Sequence, residues 1–330
     1  MFTELEYDEE DYSSIYKVAG LDTCFVNAYR RVIMADIETH AFEEENIDMI
    51  MNNSVLHNEI VKHRISLIPV MTAEEGGVSI DIDIVNETNG VINVTTNDVT
   101  ATNGSVCKDI AITVLKAGER FVMKARSTVG SGSKSSIFKP ASGVHFKIMK
   151  EVKTDSDEVK EYIKQQYECC EHNGHLLTYG VKLVKVFLKQ IKAKFGDDCD
   201  IDLVEYSEEG KYVYAFFIES NGQKQPSVLL SESRDILRAK FENVMKKNIE
   251  VSIVGQKVEL NVGDETATLC HIFAQYLRKN DDITYAVYNK KHPLDDDIFI
   301  VLFMKQDTSI FKDVLKTTIK IIVDTIDMIN

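Results

Sequence analysis

The sequence predicts an α+β protein in which two modules with the same order of elements are joined in one chain. Apolar residues recur at helical spacing in several stretches, and segments that alternate apolar with polar residues lie between them. The order strand, helix, strands, final helix occurs twice along the chain. A β-rich insertion splits the first copy, whereas the second copy is continuous, so we expect two modules and an insertion domain.

The composition favours protein partners over nucleic acid as the main ligand. The chain has 330 residues, 44% of them hydrophobic, which suffices for two or three domains with buried cores. The formal net charge is −15, whereas a protein that mainly grips phosphate backbones needs a basic surface. No apolar run of about 18 residues predicts a membrane span. The cysteines show no disulfide pattern, which indicates a reducing compartment.

The first copy contains three predicted helices. The first helix follows the N-cap residue Asp22, and its apolar stripe contains Phe25, Ala28, Tyr29, Val32 and Ile33. The second helix starts after Ser54 and ends at Pro69, and its predicted apolar face contains Leu56, Ile60, His63 and Leu67. Ser231 or Ser233 is expected to cap the last helix of this copy.

The insertion changes character along its length. From Met71 to about Lys150, alternating residues and turns rich in Gly, Asn and Thr predict strands. From Glu158 to Phe195 the pattern is helical, with an interruption at His172-Asn173-Gly174. Two further strands around a turn are expected from Ile201 to Ser220.

The second copy repeats the order of the first without interruption. Strands extend to Val262, and Asp264 caps a helix with the apolar stripe Leu269, Ile272, Phe273, Tyr276 and Leu277. Strands follow through Met304, and the final helix has the stripe Phe311, Leu315, Thr318, Ile322 and Ile326. The predicted domains are the first module at 1–70 plus 211–247, the insertion domain at 71–210 and the second module at 248–330.

One cluster of residues suggests a metal site. Zinc binds Cys and His, and the candidate ligands are Cys169, Cys170, His172 and His175. Adjacent cysteines do not follow the paired spacing of zinc sites, so a helix end with a turn at Gly174 is the preferred interpretation. We therefore predict no metal, no cofactor and no catalytic residue. A metal-dependent hydrolase built on this cluster is an alternative that a metal assay would test.

Two segments of the first copy carry a specific resemblance. Asn27-Ala28-Tyr29-Arg30-Arg31 is similar to a family helix with the pattern Asn-Ala/Ser-Leu-Arg-Arg, in which Tyr29 replaces Leu. Residues 53–69 are similar almost throughout to the second helix of the same family, and the matching positions include Glu59, His63, Arg64 and Pro69. This family is the alpha family of RNA polymerases, which includes the bacterial alpha subunit, its archaeal D-type counterpart and the third-largest subunit of eukaryotic polymerase II.

The second copy resembles the small partner of that subunit, which is the archaeal L-type polypeptide or the eleventh subunit of polymerase II. Thr268-Leu269 lies in the first-helix motif, and Ala286-Val287-Tyr288 and His292-Pro293-Leu294 match a later segment. Fusion of the two partners is similar to the arrangement in some large DNA viruses. The resemblance thus implies a viral protein that acts in the host cytoplasm or nucleus, and it leaves open whether the protein is packaged in the virion.

The resemblance implies a non-catalytic scaffold that nucleates assembly of a multi-subunit DNA-directed RNA polymerase, a nucleotidyltransferase. The implied partners are the two largest polymerase subunits, especially the second-largest, and small accessory subunits, without sequence-specific nucleic-acid contact and without a membrane. The expected interface residues are Asn27, Arg30, Arg31, Glu59, His63 and Arg64. The modules are expected to pair within the chain through Phe25, Tyr29, Val32, Leu269, Ile272, Phe273, Tyr276, Phe311, Leu315 and Ile322.

A free-standing acidic adaptor that has kept the alpha-like fold and binds other proteins is the alternative. Its discriminating property is purification without the large polymerase subunits. Residues 151–200 are covered by neither resemblance, and the sequence assigns them no role.

Overall fold

The chain folds into a mixture of helices and antiparallel sheets. The computed structural model describes residues 1–74, 76–196, 199–246, 250–263, 267–292, 294–295, 297–305 and 309–328. The α-helices within these ranges are α1 (Thr23–Ala35), α2 (Asn58–Ser66), α3 (Asp157–Gln166), α4 (Val184–Phe195), α5 (Pro226–Lys246), α6 (Ala267–Leu277) and α7 (Phe311–Asp327). Within the same ranges, no helix combines the length and the hydropathy that a membrane crossing needs.

The strands follow the alternating segments of the sequence. In chain order they are β1 (Phe2–Asp8), β2 (Ser13–Val18), β3 (Glu38–Ala41), β4 (Ile47–Asn52), β5 (Val70–Ala73), β6 (Ser79–Val85), β7 (Ile92–Thr95), β8 (Thr100–Thr102), β9 (Gly104–Val106), β10 (Ala111–Leu115), β11 (Arg120–Arg126), β12 (Thr128–Ser131), β13 (Ala141–Ile148), β14 (Lys150–Lys153), β15 (Cys169–His172), β16 (His175–Thr178), β17 (Asp202–Glu205), β18 (Ser207–Glu208), β19 (Lys211–Tyr212), β20 (Tyr214–Ser220), β21 (Glu250–Val254), β22 (Lys257–Gly263), β23 (Ile283–Asn289) and β24 (Ile298–Met304). The α+β class predicted from the sequence is confirmed.

Two four-stranded antiparallel sheets form the bases of the two modules. The first has the order β1-β2-β20-β13 and packs against α1 and α5. The second has the order β21-β22-β24-β23 and packs against α6. Alternation along β22 turns Val258, Leu260 and Val262 inward, as expected for a sheet with one covered face.

The helices of the two modules share one hydrophobic core. Helix α1 contacts α6, and α5 contacts α7. Phe25 of α1, Phe241 of α5, Phe273 of α6 and Ile322 of α7 are fully buried members of the same cluster. The rings of Phe25 and Tyr276 meet edge to face with centroids 5.4 Å apart, an arrangement that aromatic pairs favour. We call this contact region between α1, α5, α6 and α7 the seam.

The insertion has a core of its own. Its main sheet has the order β4-β11-β6-β8, and α2 packs on it through Val61 and Ile65. Because β4 pairs with β11 of the insertion and Phe42, Val61 and Ile65 belong to the same core, residues 42–70 pack with the insertion. Ile37 belongs to the core shared by the module helices, and Phe42 belongs to the core of the insertion.

Helix α2 starts later and faces differently from the sequence prediction. Asn52 holds the preceding loop, since its amide donates to the Leu56 carbonyl over 2.9 Å and accepts from the Ser54 hydroxyl over 2.6 Å. The helix therefore begins at Asn58, and Ser54 is not its cap. Ile60 and Leu67, expected on the apolar face, are 48% and 53% exposed.

Residues 150–206 form a small unit whose secondary structure the sequence predicts only in part. Helices α3 and α4 pack on the sheet β15-β16-β14-β17 around Ile163, Phe187 and Ile191. The predicted helix interruption is the turn of a β-hairpin, in which Asn173 and Gly174 have φ values of 47° and 81°. Positive φ at both positions is the signature of an Asn-Gly hairpin turn, so this region is not continuously helical.

Helix α5 starts earlier in the chain than the sequence predicts. Helix α5 begins at Pro226, ahead of the expected cap residues Ser231 and Ser233, because proline is suited to the first helical turn. Ser233 is buried inside the helix, where its hydroxyl donates to the Leu230 carbonyl over 2.7 Å. Asp264, the expected cap of α6, lies outside the described residues.

Candidate protein interface

The predicted pairing residues all lie at the seam. Phe25, Tyr29 and Val32 line the inner face of α1, and Leu269, Ile272, Phe273 and Tyr276 line that of α6. Phe311 and Ile322 of α7 belong to the same cluster, and Leu315 packs against it. The 3.6-residue periodicity of these helices turns each stripe to one side, which accounts for their convergence.

A polar contact lies at the edge of the seam. Asp22 occupies the N-cap position of α1, but its side chain makes no capping hydrogen bond. Its carboxylate instead accepts from the Tyr276 hydroxyl over 2.9 Å and from the Lys279 ammonium over 2.7 Å. Burial opposes ionisation of Asp22, but these two hydrogen bonds outweigh it and hold the pKa of the carboxyl below its ordinary value.

Asn27, Arg30 and Arg31 lie on the outer side of α1. The Asn27 amide oxygen accepts from Arg30 Nε over 3.0 Å, which orients the guanidinium. Arg31 is exposed, and the two arginines point about 100° apart around the helix. Arg30 is held along α1 by Asn27, while Arg31 lines a groove together with residues of α6.

A groove of about 260 Å³ lies at the surface where α1 meets the second module. Asn27 and Arg31 line it from α1, whereas Thr268 and His271 line it from α6. Cys24 also contributes to the wall, and burial raises the pKa of its thiol to about 11, so it is protonated and unreactive at neutral pH. Because both modules contribute walls, a partner that entered this groove would contact both.

Glu59, His63 and Arg64 form a separate exposed surface on α2. All three side chains are exposed, and His63 Nδ1 lies 3.5 Å from the Glu44 carboxylate. Exposed Ile60 and Leu67 lie on the same helix, so this surface combines apolar and charged groups. Helix α2 belongs to the core of the insertion and α1 to the core of the modules, so the six predicted interface residues form two separate surfaces.

The candidate metal ligands are engaged in other contacts. His172 Nε2 lies 3.1 Å from the Glu208 carboxylate, and His175 Nδ1 lies 2.7 Å from that of Glu151. Burial raises the pKa of the Cys169 thiol to about 11. Across the described ranges, no group of three or more His, Cys, Asp or Glu side chains has the geometry to hold a metal ion.

The contact of Asp22 with Tyr276 and Lys279 is the feature that sequence reasoning missed. The sequence predicts Asp22 as a local cap and Tyr276 as a member of an apolar stripe. The two residues are 254 positions apart, and no local pattern links them. The Lys279 ammonium also lies 4.1 Å from the centroid of the Tyr276 ring, which completes a small charged cluster.

Two helix-on-sheet modules whose helices share one core define a protein of the paired dimerisation class. The RNA polymerase Rpb3/Rpb11 dimerisation domain matches residues 17–241 and, in a second match, residues 257–330. The chain belongs to this family. The resemblance to alpha-type polymerase subunits, inferred from the two helix motifs of the first copy, is confirmed.

Several curated proteins are similar to the chain over most of their length. The Rpo3 subunit of the DNA-directed RNA polymerase of Thermococcus kodakarensis is 25% identical over 245 residues, which cover 70% of this chain and 91% of the relative. The Rpo3 subunit of Pyrobaculum arsenaticum is 28% identical over 258 residues, or 73% and 93%. The rpb3 subunit of RNA polymerase II of Dictyostelium discoideum is 22% identical over 290 residues, or 75% and 95%.

Proposed function

We propose that this protein is a non-catalytic assembly subunit of a multi-subunit DNA-directed RNA polymerase. In this proposal its two modules pair within the chain and together form the platform for larger subunits. The second-largest subunit binds at Arg30 and Arg31, and small accessory subunits contact the exposed surface of α2. Catalysis by the assembled enzyme takes place in other subunits.

The shared hydrophobic core is the observation that carries the proposal. Stripes from α1, α6 and α7 are buried in one cluster, so the surfaces that would otherwise need a second chain are covered within this one. The contact of Tyr276 and Lys279 with Asp22 adds a polar link across the same seam. Pairing within one chain also raises the effective concentration of each module for the other, to the millimolar range for short links.

The groove between α1 and α6 supports the proposed docking site. Arg31 and His271 come from different modules and line the same groove, so the complete surface exists only when the modules are paired. Arginine suits such a site because its planar guanidinium forms paired hydrogen bonds with carboxylates and carbonyls. We propose that the second-largest subunit recognises the paired state in this way.

We further propose revised domain limits for the chain and a viral origin for the protein. The first module comprises 1–37, 139–149 and 207–247, the insertion 38–138, the hairpin unit 150–206, and the second module 248–330. The pairing of β13 with β20 and of β4 with β11 supports these limits.

The fused arrangement fits the polymerase of a large DNA virus that acts in the host cytoplasm or nucleus, and packaging in the virion is a further part of this proposal.

Purification of the tagged chain from the cells that normally make it tests the proposal. We expect the two largest polymerase subunits to accompany the wild-type chain. An Arg30→Glu, Arg31→Glu double variant should lose the second-largest subunit. The matched control reverses two exposed charges on α7, Lys312→Glu and Lys316→Glu, and should retain it. Recovery of the wild-type chain without large subunits would support the free-standing adaptor instead.

A further inference from the structure

Helix α4 carries a concentration of positive charge in an acidic protein. The segment 182–196 contains no acidic residue, and its lysines are Lys182, Lys185, Lys189, Lys192 and Lys194, although the whole chain has a net charge of −15. This helix belongs to the hairpin unit, for which neither the family resemblance nor the proposed function provides a role.

The lysines of α4 are aligned on the side of the helix that faces away from its core. Phe187 and Ile191 anchor the helix to the core of the hairpin unit. Lys185, Lys189 and Lys192 recur at spacings of four and three residues, so their side chains lie on one face within a sector of about 60°. We call these three residues the α4 lysine stripe. Lys185 and Lys189 are exposed, and Lys192 is partly exposed.

The α4 lysine stripe has no anionic partner among the described residues, unlike the neighbouring helix. On α3, Lys164 pairs with Glu171 over 2.6 Å, and Lys160 lies 3.7 Å from Asp157. Lys194, at the end of α4, lies over the ring of Tyr162 with its ammonium 3.5 Å from the centroid. The charges of the stripe are therefore directed to solvent, whereas Lys160, Lys164 and Lys194 have partners within the protein.

Helix stability does not account for Lys185. The amino-terminal end of a helix is the positive end of its dipole, where acidic residues are favourable and lysine is unfavourable. The first turn of α4 contains no acidic residue, and the N-cap residue Leu183 provides no capping hydrogen bond. Lys192, near the carboxyl end, is favourably placed by the same argument. A ligand that carries negative charge would explain why the stripe extends along the whole helix.

We propose that the α4 lysine stripe binds the phosphate backbone of duplex DNA without reading its sequence. The choice of DNA rests on the proposed function, because a subunit of a DNA-directed polymerase works beside its template. From Lys185 to Lys192 the stripe extends about 10 Å along the helix, and duplex DNA presents one charge per roughly 1.7 Å of its axis. Three simultaneous phosphate contacts are thus within reach.

The composition of α4 fits contact with phosphates and not with bases. Lysine acts as a point charge that suits phosphates, whereas paired hydrogen bonds to adenine need Asn or Gln and those to guanine are made by Arg as well as Lys. The helix has no Arg or Asn, and its Gln190 accepts from the Tyr167 hydroxyl over 3.0 Å. An anionic membrane is the rival ligand, but the apolar face of α4 is buried in the protein. Only Leu183 and Val186, 67% and 47% exposed, remain beside the stripe for insertion into lipid.

Fluorescence anisotropy of the purified full chain with a labelled duplex of about 30 base pairs tests the proposal, between roughly 50 and 200 mM salt. The triple variant Lys185→Gln, Lys189→Gln, Lys192→Gln should bind at least about tenfold more weakly at the lower salt. The slope of log affinity against log salt should fall in magnitude by about 2.7, which is 0.9 for each lost contact. The matched control Lys312→Gln, Lys316→Gln, Lys320→Gln removes the same charge from the exposed side of α7 and should change affinity less than about twofold.

Three results would overturn the proposal. These are equal weakening by both triple variants, absence of duplex binding by the wild-type chain at low salt, and binding to phosphatidylserine vesicles in place of the duplex. If circular dichroism shows that the first triple variant is unfolded, Lys189→Gln alone replaces it, with an expected slope change of about 0.9. The assay needs no other component of the polymerase, so its outcome is independent of the purification experiment above.

Discussion

Tyr276 donates a hydrogen bond of 2.9 Å to Asp22 from the opposite module. The carboxylate stands at the start of α1, where it would ordinarily cap the helix, and it is turned instead toward the end of α6. Hydrophobic attraction is non-directional, whereas a part-buried carboxylate must keep its donors. This contact therefore selects one alignment of the two modules.

The first prediction concerns the hydroxyl group of Tyr276. Tyr276→Phe should lower the free energy of unfolding by about 1–2 kcal/mol, because it leaves Asp22 with one donor fewer. Tyr29→Phe is the matched control. It removes a buried hydroxyl of the same core that has no protein partner among the described residues, so it should be neutral or stabilising. Urea unfolding of both variants measures the difference, and equal losses would contradict this account of the seam.

The second prediction concerns the pH dependence of stability. The pKa of Asp22 is lower in the folded chain than its ordinary value, so its contribution is complete above the unfolded pKa of about 3.9 and is lost as pH falls through the folded pKa. The unfolding free energy of wild type should exceed that of Asp22→Asn by a constant amount above about pH 5 and converge with it at lower pH.

An exposed carboxylate serves as the control for this pH series. Asp83 pairs with Arg120 over 2.8 Å, but both side chains are well exposed and screened by water. Asp83→Asn should change the unfolding free energy less than Asp22→Asn at every pH. A difference between wild type and Asp22→Asn that grows as pH falls would have the wrong sign for a depressed pKa.

The third prediction tests whether the seam couples the modules. Phe273 is fully buried in the shared core, whereas Phe303 lies on the outer face of the second sheet and is 39% exposed. Phe273→Ala should cost about 3–5 kcal/mol, and Phe303→Ala clearly less. Hydrogen exchange should show lost protection in α1 of the first module for Phe273→Ala only. Unchanged protection in α1 would indicate that the two modules are stable independently.

The fourth prediction concerns the hairpin turn between β15 and β16. Gly174 has a φ of 81°, and a Cβ there would meet no atom within 4 Å, so the cost of Gly174→Ala is purely conformational. A loss of about 1 kcal/mol is expected, visible as faster hydrogen exchange in this hairpin. Gly90→Ala also adds its Cβ to open space, but without a positive φ, and should have little effect. Equal effects of the two substitutions would rule out the turn conformation as the cause.

The module helices could be predicted because their apolar residues follow one period. Phe25, Tyr29 and Val32 recur on one face of α1, and the same is true of α6 and α7, so the side that becomes buried is unambiguous. The resemblance of α2 to its family is equally clear, but the buried face that the sequence predicts for this helix is wrong. Two apolar rows compete on this helix, and periodicity does not distinguish Ile60 and Leu67 from Val61 and Ile65.

Other features depend on contacts between residues that are far apart in the chain. The Asn173-Gly174 pair was a usable signal for a hairpin, but the surrounding segment has a helical pattern, and the local turn decided the outcome. The pairing of β4 with β11, which follows it by about seventy positions, has no local signal in the sequence. The link between Asp22 and Tyr276 has no local signal at all.

A core completed by its last helix has consequences for synthesis. Helix α7 ends at Asp327 and packs against α5, so Phe241 and its neighbours lose their full cover in any product that stops early. Incomplete chains would expose apolar surfaces that chaperones and proteases recognise. Because both halves belong to one polypeptide, they are made in equal numbers and neither accumulates in excess of the other.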